Sequence, residues 1–245
     1  MLPAPRDVVE RLGPPSGEFR DSVAAVDVAV LDMAGTTVAD NGVVEKSFRA
    51  ALERVEAPLP DDLDRRFRAL RGASKPDMFA AVLDGDHALA SRAHAAFEEV
   101  LAEHVSAGTV TALPHAADAL RYLRELDIGV ALVTGFDAAT RDRLVEALGW
   151  SDLVDLVLCP SDVSRGRPHP DLVLTAALRL STRSMGGVAV AGDTVNDLLA
   201  GTRAGAGMVA GVLTGAHGAE ELGNAPHTHV LPTIGDLPTA IAATA

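Results

Sequence analysis

Short runs of apolar residues recur along the chain. Each run is rich in Val, Ile, Leu and Ala and is bounded by polar residues or glycine. Continuous apolar runs of this length are typical of parallel strands that are buried on both faces of a sheet. The predicted strands are Val26–Leu31, Ile128–Val133, Leu153–Leu158, Val188–Ala191, Met208–Val212 and a weaker one at His229–Leu231.

Patterns with helical spacing lie between these runs. Regular alternation of strands and helices favours an α/β fold, here a doubly wound, Rossmann-like core around a parallel sheet. The predicted helices of this core are Ala116–Glu125, Ala138–Leu148, Pro170–Leu180, Asn196–Ala204 and Leu237–Ala243.

The segment between the first two predicted strands breaks this alternation. It is almost entirely helical in pattern and too long for a single crossover helix, so we expect a small all-helical cap domain inserted into the core. We assign residues 26–42 and 111–245 to the core and residues 43–110 to the cap. Residues 1–25, with their Pro and Gly clusters, are expected to form a surface arm with one short helix at Asp7–Leu12. The predicted cap helices are Val43–Glu56, Asp62–Leu70, Pro76–Leu83 and Ala88–Ala107.

Polar residues follow four of the predicted strands. Asp32 ends the first run, Thr134 follows the second, Arg167 lies in the loop after the third, and Asp193 and Asp197 follow the fourth. Ligands of open α/β sheets bind outside the carboxyl ends of the strands, so these side chains should converge. Each one alone is commonly structural, as a turn residue or a helix cap. Their order and shared position at strand ends instead favour one functional site.

These side chains form a chemically coherent set for phosphoryl transfer. Asp32 and Asp193 could share Mg²⁺, which prefers oxygen ligands and would neutralise both the carboxylates and an incoming phosphoryl group. Thr134 and Arg167 could hold phosphoryl oxygens. Asp32 could then attack phosphorus and form an aspartyl-phosphate.

The same residues carry a family resemblance. The segments Asp32-Met-Ala-Gly-Thr-Thr37, Val133-Thr-Gly135, Gly166-Arg-Pro168 and Ala191-Gly-Asp-Thr-Val-Asn-Asp197 resemble, in order, the four motifs of the haloacid dehalogenase-like hydrolase superfamily. The resemblance extends from about Val26 to the C-terminus and is strongest to the phosphonoacetaldehyde hydrolase (phosphonatase) subgroup. It implies a Mg²⁺-dependent hydrolase with Asp32 as nucleophile and a helical cap.

The residue two positions after Asp32 supports the narrower subgroup. Most phosphatases of the superfamily have there a second Asp that protonates the leaving group, whereas this chain has Ala34, as phosphonatases do. The resemblance implies that the Ala34 carbonyl is a metal ligand beside Asp32 and Asp193. It also implies that Asp197 is a further ligand or supports the metal shell.

A lysine of the cap is the second feature of the subgroup. Lys75 lies in a Gly72-x-x-Lys75 stretch similar to the one that carries the phosphonatase lysine, which forms an imine with the aldehyde substrate. Pro76 suits the first position of a helix, and the positive helix end and nearby Arg71 both favour a neutral amine. The alternatives are an exposed lysine without a special role and a lysine that only contacts the substrate.

Three positions depart from the phosphonatase pattern. Arg71 stands where Met is expected, Met78 where His is expected, and Phe136 where Tyr is expected. Neither Met78 nor Phe136 can transfer a proton. Arg71 suggests a second anionic group on the substrate, and we expect Arg71, Gly72, Gly135 and Phe136 to contact it.

The sequence therefore leaves several functions open. The first is cleavage of the C–P bond of phosphonoacetaldehyde or a related phosphonate. The main alternative is a phosphomonoesterase that acts on a small anionic metabolite. A phosphosugar mutase is disfavoured because it normally needs the acid that Ala34 replaces, and a non-catalytic phospholigand-binding protein is disfavoured by the complete acidic pair.

Charge and composition limit the expected partners and the expected cellular location. The net charge of −13 argues against nucleic-acid or anionic-membrane partners, which require a basic face. A single cysteine, Cys159, no apolar run of ~18–20 residues and no signal-peptide pattern lead us to expect a cytoplasmic protein. His217, His227 and His229 could form a second metal cluster, but a loop before the last strand explains the latter two. The family resemblance also allows a homodimer that pairs through its caps.

Overall fold

The computed structural model of this protein describes residues 26–39 and 41–243, so the predicted N-terminal arm lies outside the described residues. The strands are β1 (Val28–Asp32), β2 (Val38–Ala39), β3 (Thr111–Ala112), β4 (Gly129–Val133), β5 (Leu156–Leu158), β6 (Val188–Gly192), β7 (Met208–Val212) and β8 (His229–Leu231). Six of them form a parallel sheet in the order β5-β4-β1-β6-β7-β8. The predicted parallel sheet is therefore confirmed, with β1 near its centre.

Helices flank this sheet and fill the long insertion. Those of the core are α5 (Ala116–Glu125), α6 (Ala138–Ala147), α7 (Asp171–Arg179), α8 (Val195–Ala204), α9 (Ala219–Gly223) and α10 (Leu237–Ala243). Those between β2 and β3 are α1 (Val43–Arg54), α2 (Leu63–Leu70), α3 (Lys75–Val82) and α4 (His87–Ser106). The fold class predicted from the sequence, a doubly wound α/β core with an all-helical cap, is confirmed.

The central strand shows why its sequence is apolar at every position. Val28 and Val30 pack into one hydrophobic cluster. Ala29 and Leu31 pack into another. Successive side chains of a strand point to opposite faces, so both faces of the sheet are covered. All four residues are buried, as expected of a strand between two layers of helices.

Aromatic residues concentrate in the cap. Phe48 stacks on Phe79 with ring centroids 4.1 Å apart, and Phe67 and Phe97 contact this pair at 5.1 and 5.9 Å. Only six phenylalanines occur in the chain, and these four build the interior of the four-helix cap. Aromatic pairs of this kind each add about 0.5–1.5 kcal/mol beyond area burial.

A short antiparallel pair, β2 with β3, joins the cap to the core. Val38 pairs with Ala112 and Ala39 with Thr111, so the chain leaves and re-enters the core through one two-stranded connection. The sequence did not predict these strands, because two residues carry no periodicity. Strand β5 is also shorter than predicted, since Leu153 donates its N–H to the Trp150 carbonyl at 2.8 Å and lies in a turn.

A search of the described residues for membrane-spanning segments finds no helix that is both long and apolar enough to cross a bilayer.

Candidate active site

The sheet topology brings the predicted site residues together. Strand β1 lies between β4 and β6, with Asp32 opposite Val133 and Leu31 opposite Ala191. Thr134 directly follows Val133, and Asp193 lies two residues after Ala191, so both flank Asp32 at one edge of the sheet. The side chains of Asp32, Thr134 and Asp193 are all buried.

Three carboxylates form a buried cluster at this edge. One oxygen from each of Asp32, Asp193 and Asp197 lies within 4.8 Å of the others. Burial raises the pKa of Asp32 to about 6, although Arg167 opposes the rise. Burial and the neighbouring Asp32 charge raise the pKa of Asp193 well above its usual range. The cluster is thus an environment in which negative charge is poorly compensated by the protein.

The guanidinium of Arg167 is inserted between two of these carboxylates. Its Nη1 contacts both Asp32 and Asp197, and the residue is 6% exposed. Burial alone would lower the pKa of Arg167, but the Asp197 and Asp32 charges outweigh it and raise the pKa. The loop that carries Arg167 is held by Arg203, whose Nη1 donates to the Pro168 carbonyl at 2.7 Å. Arg167 therefore orients the carboxylates, a contact that the sequence did not predict.

Loops on both sides hold Asp193 in place. Its Oδ1 accepts from the Thr36 hydroxyl at 3.3 Å, and its Oδ2 accepts from the Ala216 N–H at 2.6 Å. A Cβ at Gly35 or Gly215 would overlap Asp193 Oδ2. These glycines are therefore required for the close approach of the two loops to the carboxylate.

Asp197 has a different environment from Asp193. It is the third residue of α8, and its Oδ2 accepts from the Thr194 N–H at 3.0 Å in a capping box. Its Oδ1 contacts Arg167. Because both oxygens have protein partners, Asp197 is better suited to support the cluster than to face a substrate.

The strand that ends before Thr134 continues into a tight loop. Thr134 Oγ1 accepts from the Phe136 N–H at 3.2 Å, which fixes the hydroxyl oxygen beside Asp32's strand. A Cβ at Gly135 would lie only 2.8 Å from the Ala73 carbonyl of the cap. Gly135 thus lets the cap approach the core at this point.

Lys75 approaches the same space from the cap. It is the first residue of α3, Ser74 is the N-cap and Pro76 is second, so the predicted proline position is off by one residue. Lys75 is only 7% exposed, and its Nζ lies 5.3 Å from the centroid of the Phe136 ring. Lysine is rarely buried to this extent. The alternative of an exposed lysine is therefore wrong, and the role of Lys75 stays a prediction.

Arg71 lies at the cap side of the cavity with a partly satisfied charge. Its guanidinium carbon is 5.3 Å from the centroid of the Phe67 ring, and its Nη2 is 3.5 Å from Glu45 Oε2. Stacking on an aromatic face keeps such a guanidinium in one orientation. Its N–H groups can therefore face a ligand in the cavity.

A cavity of about 310 Å³ lies between cap and core. The predicted site residues that line it are Asp32, Ala34, Arg71, Gly72, Lys75, Thr134, Gly135, Phe136, Arg167 and Asp193. Asp197 is not among the lining residues. The volume suits a small metabolite rather than a macromolecule.

Some residues of the cavity were not predicted from the sequence. Asn41 and Phe67 also line it. The pair Asn41-Gly42, with φ of 47° and 71°, carries a recognisable turn signal after β2. Nothing in the sequence indicates that Phe67 is a site residue, because an aromatic residue in an amphipathic helix usually packs in the hydrophobic interior.

His217 has a structural contact that the sequence did not reveal. It is buried, its ring Nδ1 accepts from the Val195 N–H at 3.0 Å, and its backbone N–H donates to the Asp193 carbonyl at 3.2 Å. Among the described residues the acidic triad is the one group of potential metal ligands that meets at a point, so the histidine cluster is not found there.

The structure thus combines a Rossmann-like α/β core with an acidic cavity that a helical cap covers. A sequence model of the haloacid dehalogenase-like hydrolases matches residues 26–205, more than half of the chain. The protein belongs to this family, and the membership predicted from its motifs is confirmed.

Individual relatives agree with this assignment. A phosphonoacetaldehyde hydrolase-like protein of Syntrophobacter fumaroxidans is 29% identical over 225 residues, which cover 82% of this chain and 76% of the relative. The probable phosphatase IndB of Dickeya dadantii is 29% identical over 217 residues, covering 86% and 91%. The crystal structure of a hydrolase from Pseudomonas syringae superposes with a TM-score of 0.78 at 23% identity, covering 89% and 98%.

Proposed function

We propose that this protein is a Mg²⁺-dependent, phosphonatase-like hydrolase that transfers a phosphoryl group from a small phosphonate to Asp32 and then to water. One observation carries the proposal. A cavity lined by the buried Asp32–Asp193 pair also contains the buried Lys75, and it has Ala34 where a carboxylic acid would serve an ester leaving group.

The donor set of the site fits a hard divalent cation. Carboxylates and a backbone carbonyl are the ligands that Mg²⁺ prefers. Burial, together with the neighbouring carboxylates, raises the pKa of Asp32 and of Asp193, and a cation would favour the ionised form of both. Asp32, Asp193 and the Ala34 carbonyl would hold it, with Asp197 in support. When bound, the cation would offset the repulsion between the Asp32 carboxylate and an anionic phosphoryl group.

Asp32 is the nucleophile of the phosphoryl-transfer step. An oxygen of its carboxylate attacks phosphorus, and the bond from phosphorus to the leaving group breaks with its electron pair. Arg167 keeps the carboxylate oriented, while the Thr134 hydroxyl, whose oxygen accepts from the Phe136 N–H, can donate its proton to a phosphoryl oxygen. Water then attacks the aspartyl-phosphate, releasing phosphate and restoring Asp32.

Lys75 provides a destination for the electron pair when the leaving group is carbon. Its neutral amine adds to the aldehyde of the substrate, and water leaves as the imine forms. Cleavage of the C–P bond then gives an enamine, which takes up a proton. Hydrolysis of the resulting imine releases the aldehyde and the free amine. No acid at position 34 is needed in this route, which agrees with Ala34.

Arg71 extends the proposal to the rest of the substrate. It lines the cavity from the cap and has Glu45 at 3.5 Å as an ion-pair partner. A second anionic group, such as a carboxylate or another phosphate, would fit this end of the cavity.

A phosphomonoesterase is the second candidate. Met78 and Phe136 both line the cavity, and neither can move a proton during imine chemistry. The similarity to a probable phosphatase also supports this reading. In that case the substrate would be a small phosphate ester with a good leaving group.

Trapping of an imine separates the two candidates. The chain contains only two lysines, the buried Lys75 and the exposed Lys46 of α1, so reduction with borohydride has few competing sites. With phosphonoacetaldehyde we expect a reduced two-carbon adduct on Lys75 and release of phosphate and acetaldehyde. Lys75→Arg should abolish both, whereas Lys46→Arg should change neither.

The opposite pattern would favour the phosphatase. Hydrolysis of phosphate esters without any adduct, at a rate that Lys75→Arg does not change, would rule out the C–P route. Asp32→Asn must abolish turnover in either case, because both routes use the same nucleophile.

A further inference from the structure

Residues 71–75, which are the loop between α2 and α3 and the first residue of α3, form a part of the cap that contacts the core. We call it the cap loop. The Lys75 N–H donates to the Gly135 carbonyl at 3.4 Å. A Cβ at Gly166 would approach Ser74 Cβ to 3.3 Å. The cap loop therefore contacts the loops that carry Thr134 and Arg167.

A third contact joins the cap loop to the acidic motif. Asn196 lies between Asp193 and Asp197 in sequence, and its Nδ2 donates to the Arg71 carbonyl at 2.7 Å. Beside it, a Cβ at Gly72 would overlap Thr194 Oγ1 and lie 3.2 Å from Asn196 Cβ. This contact is a short, well-formed hydrogen bond, whereas the Lys75–Gly135 bond is long.

We infer that Asn196 is a positioning residue that holds the cap loop closed over the acidic cluster. The side-chain amide of Asn196 donates to a backbone carbonyl, so the contact depends on the position of the cap loop and not on the Arg71 side chain. Because Asn196 occupies the first turn of α8, the helix that carries Asp197 also holds the backbone of the cap loop, which carries Arg71 and Lys75. Cap and acidic cluster thus share one rigid element.

The hydrogen bond predicts a specific kinetic effect. Its loss should favour the open cap by a factor of roughly two to ten, the usual net contribution of such a bond. KM for substrate should rise by about that factor. The value of kcat should change less, because contacts of Arg71 and Lys75 with a bound substrate still close the cap. The kinetic part rests on the proposed function.

Hydrogen–deuterium exchange tests the inference without substrate. The variants are Asn196→Ala and Asn196→Ser, since a serine hydroxyl is too short to reach the Arg71 carbonyl. Amides of residues 71–79 should exchange roughly two- to tenfold faster in both. Amides of α4 in the same cap should be unchanged. Asn224→Ala removes an exposed asparagine outside the cavity lining and serves as the matched control.

Gly72→Ala gives an independent perturbation of the same contact. Its added Cβ would displace the cap loop from Thr194, and alanine would also strain the backbone at a φ of 81°, so the local increase in exchange should be at least as large while Asn196 is intact. Unchanged exchange at residues 71–79 in the Asn196 variants, or a uniform increase across the chain, would overturn the inference. If no phosphonate or phosphate ester is hydrolysed, the proposed function fails, but the exchange result still decides the role of Asn196.

Discussion

Replacing the proposed nucleophile with its neutral isostere should stabilise the metal-free protein. Burial raises the pKa of Asp32 from 3.8 to about 6. The folded state therefore disfavours the ionised carboxylate. The difference between the two pKa values corresponds to roughly 3 kcal/mol. Asn resembles the neutral acid in shape and charge, so Asp32→Asn should remove this penalty while it abolishes turnover.

The sign of the effect sets its pH dependence. Because the folded pKa exceeds the unfolded one, stability is lost as the pH rises from about 4 through about 6. The gain from Asp32→Asn should therefore be close to zero at pH 4 and reach roughly 3 kcal/mol above pH 7. For a chain of this size that corresponds to an increase in Tm of about 6–12 °C.

Thermal or urea unfolding in a chelator between pH 4 and 8 measures this difference. Asp162→Asn is the matched control with the opposite sign. Burial alone would raise the pKa of Asp162, but the Cys159 N–H and Arg141 outweigh it and lower this pKa below its usual value. Asp162→Asn should therefore lose stability at neutral pH. Added Mg²⁺ should stabilise the wild-type protein more than Asp32→Asn. A gain that is absent at pH 7.5, or that does not vary with pH, would refute the reasoning.

Two further substitutions test neighbouring parts of the site. Ala34→Asp introduces a carboxyl beside an apolar pocket of about 20 Å³, where burial should keep it protonated. General acids contribute about 10²–10⁴-fold, so hydrolysis of phosphate esters should rise by at least tenfold relative to Ala34→Ser. Equal rates of the two variants would contradict the proposed effect of position 34. His217→Ala leaves the Val195 N–H without its acceptor, so stability should fall by about 1–3 kcal/mol and the Mg²⁺ concentration for half-maximal activity should rise, with partial recovery in His217→Asn. A loss of stability with unchanged Mg²⁺ dependence would limit His217 to a structural role.

Strands and helices with a strong hydrophobic pattern were predicted from the sequence. Strand β7 and helices α5 and α10 have the predicted bounds, because each begins and ends at a clear change of pattern. Elements that depend on pairing rather than pattern were missed, as β2 and β3 show. The cap boundaries at 43 and 110 stay a prediction, as do the cytoplasmic location and the pairing of caps.

The sequence was sufficient to predict which residues of the candidate site lie together. It was not sufficient to predict the contacts between their side chains. Parallel strands end at one edge, so Asp32, Thr134 and Asp193 could be grouped from sequence order alone. The guanidinium of Arg167 was expected at phosphoryl oxygens, and its contacts with Asp32 and Asp197 depend on side-chain packing that no spacing encodes. The burial of Lys75 likewise depends on how the cap lies against the core.

Glycines of the site illustrate the same limit. A Thr-Gly pair after a strand usually indicates a turn. Gly135, however, does not have a positive φ, and the absence of a side chain instead leaves room for the Ala73 carbonyl. Gly215 likewise admits Asp193 Oδ2 without a positive φ. Close contacts between cap and core, and between loop and carboxylate, are thus made possible by absent side chains. Alanine at Gly135 should consequently disturb cap closure rather than the local backbone, which separates a contact glycine from a turn glycine by experiment.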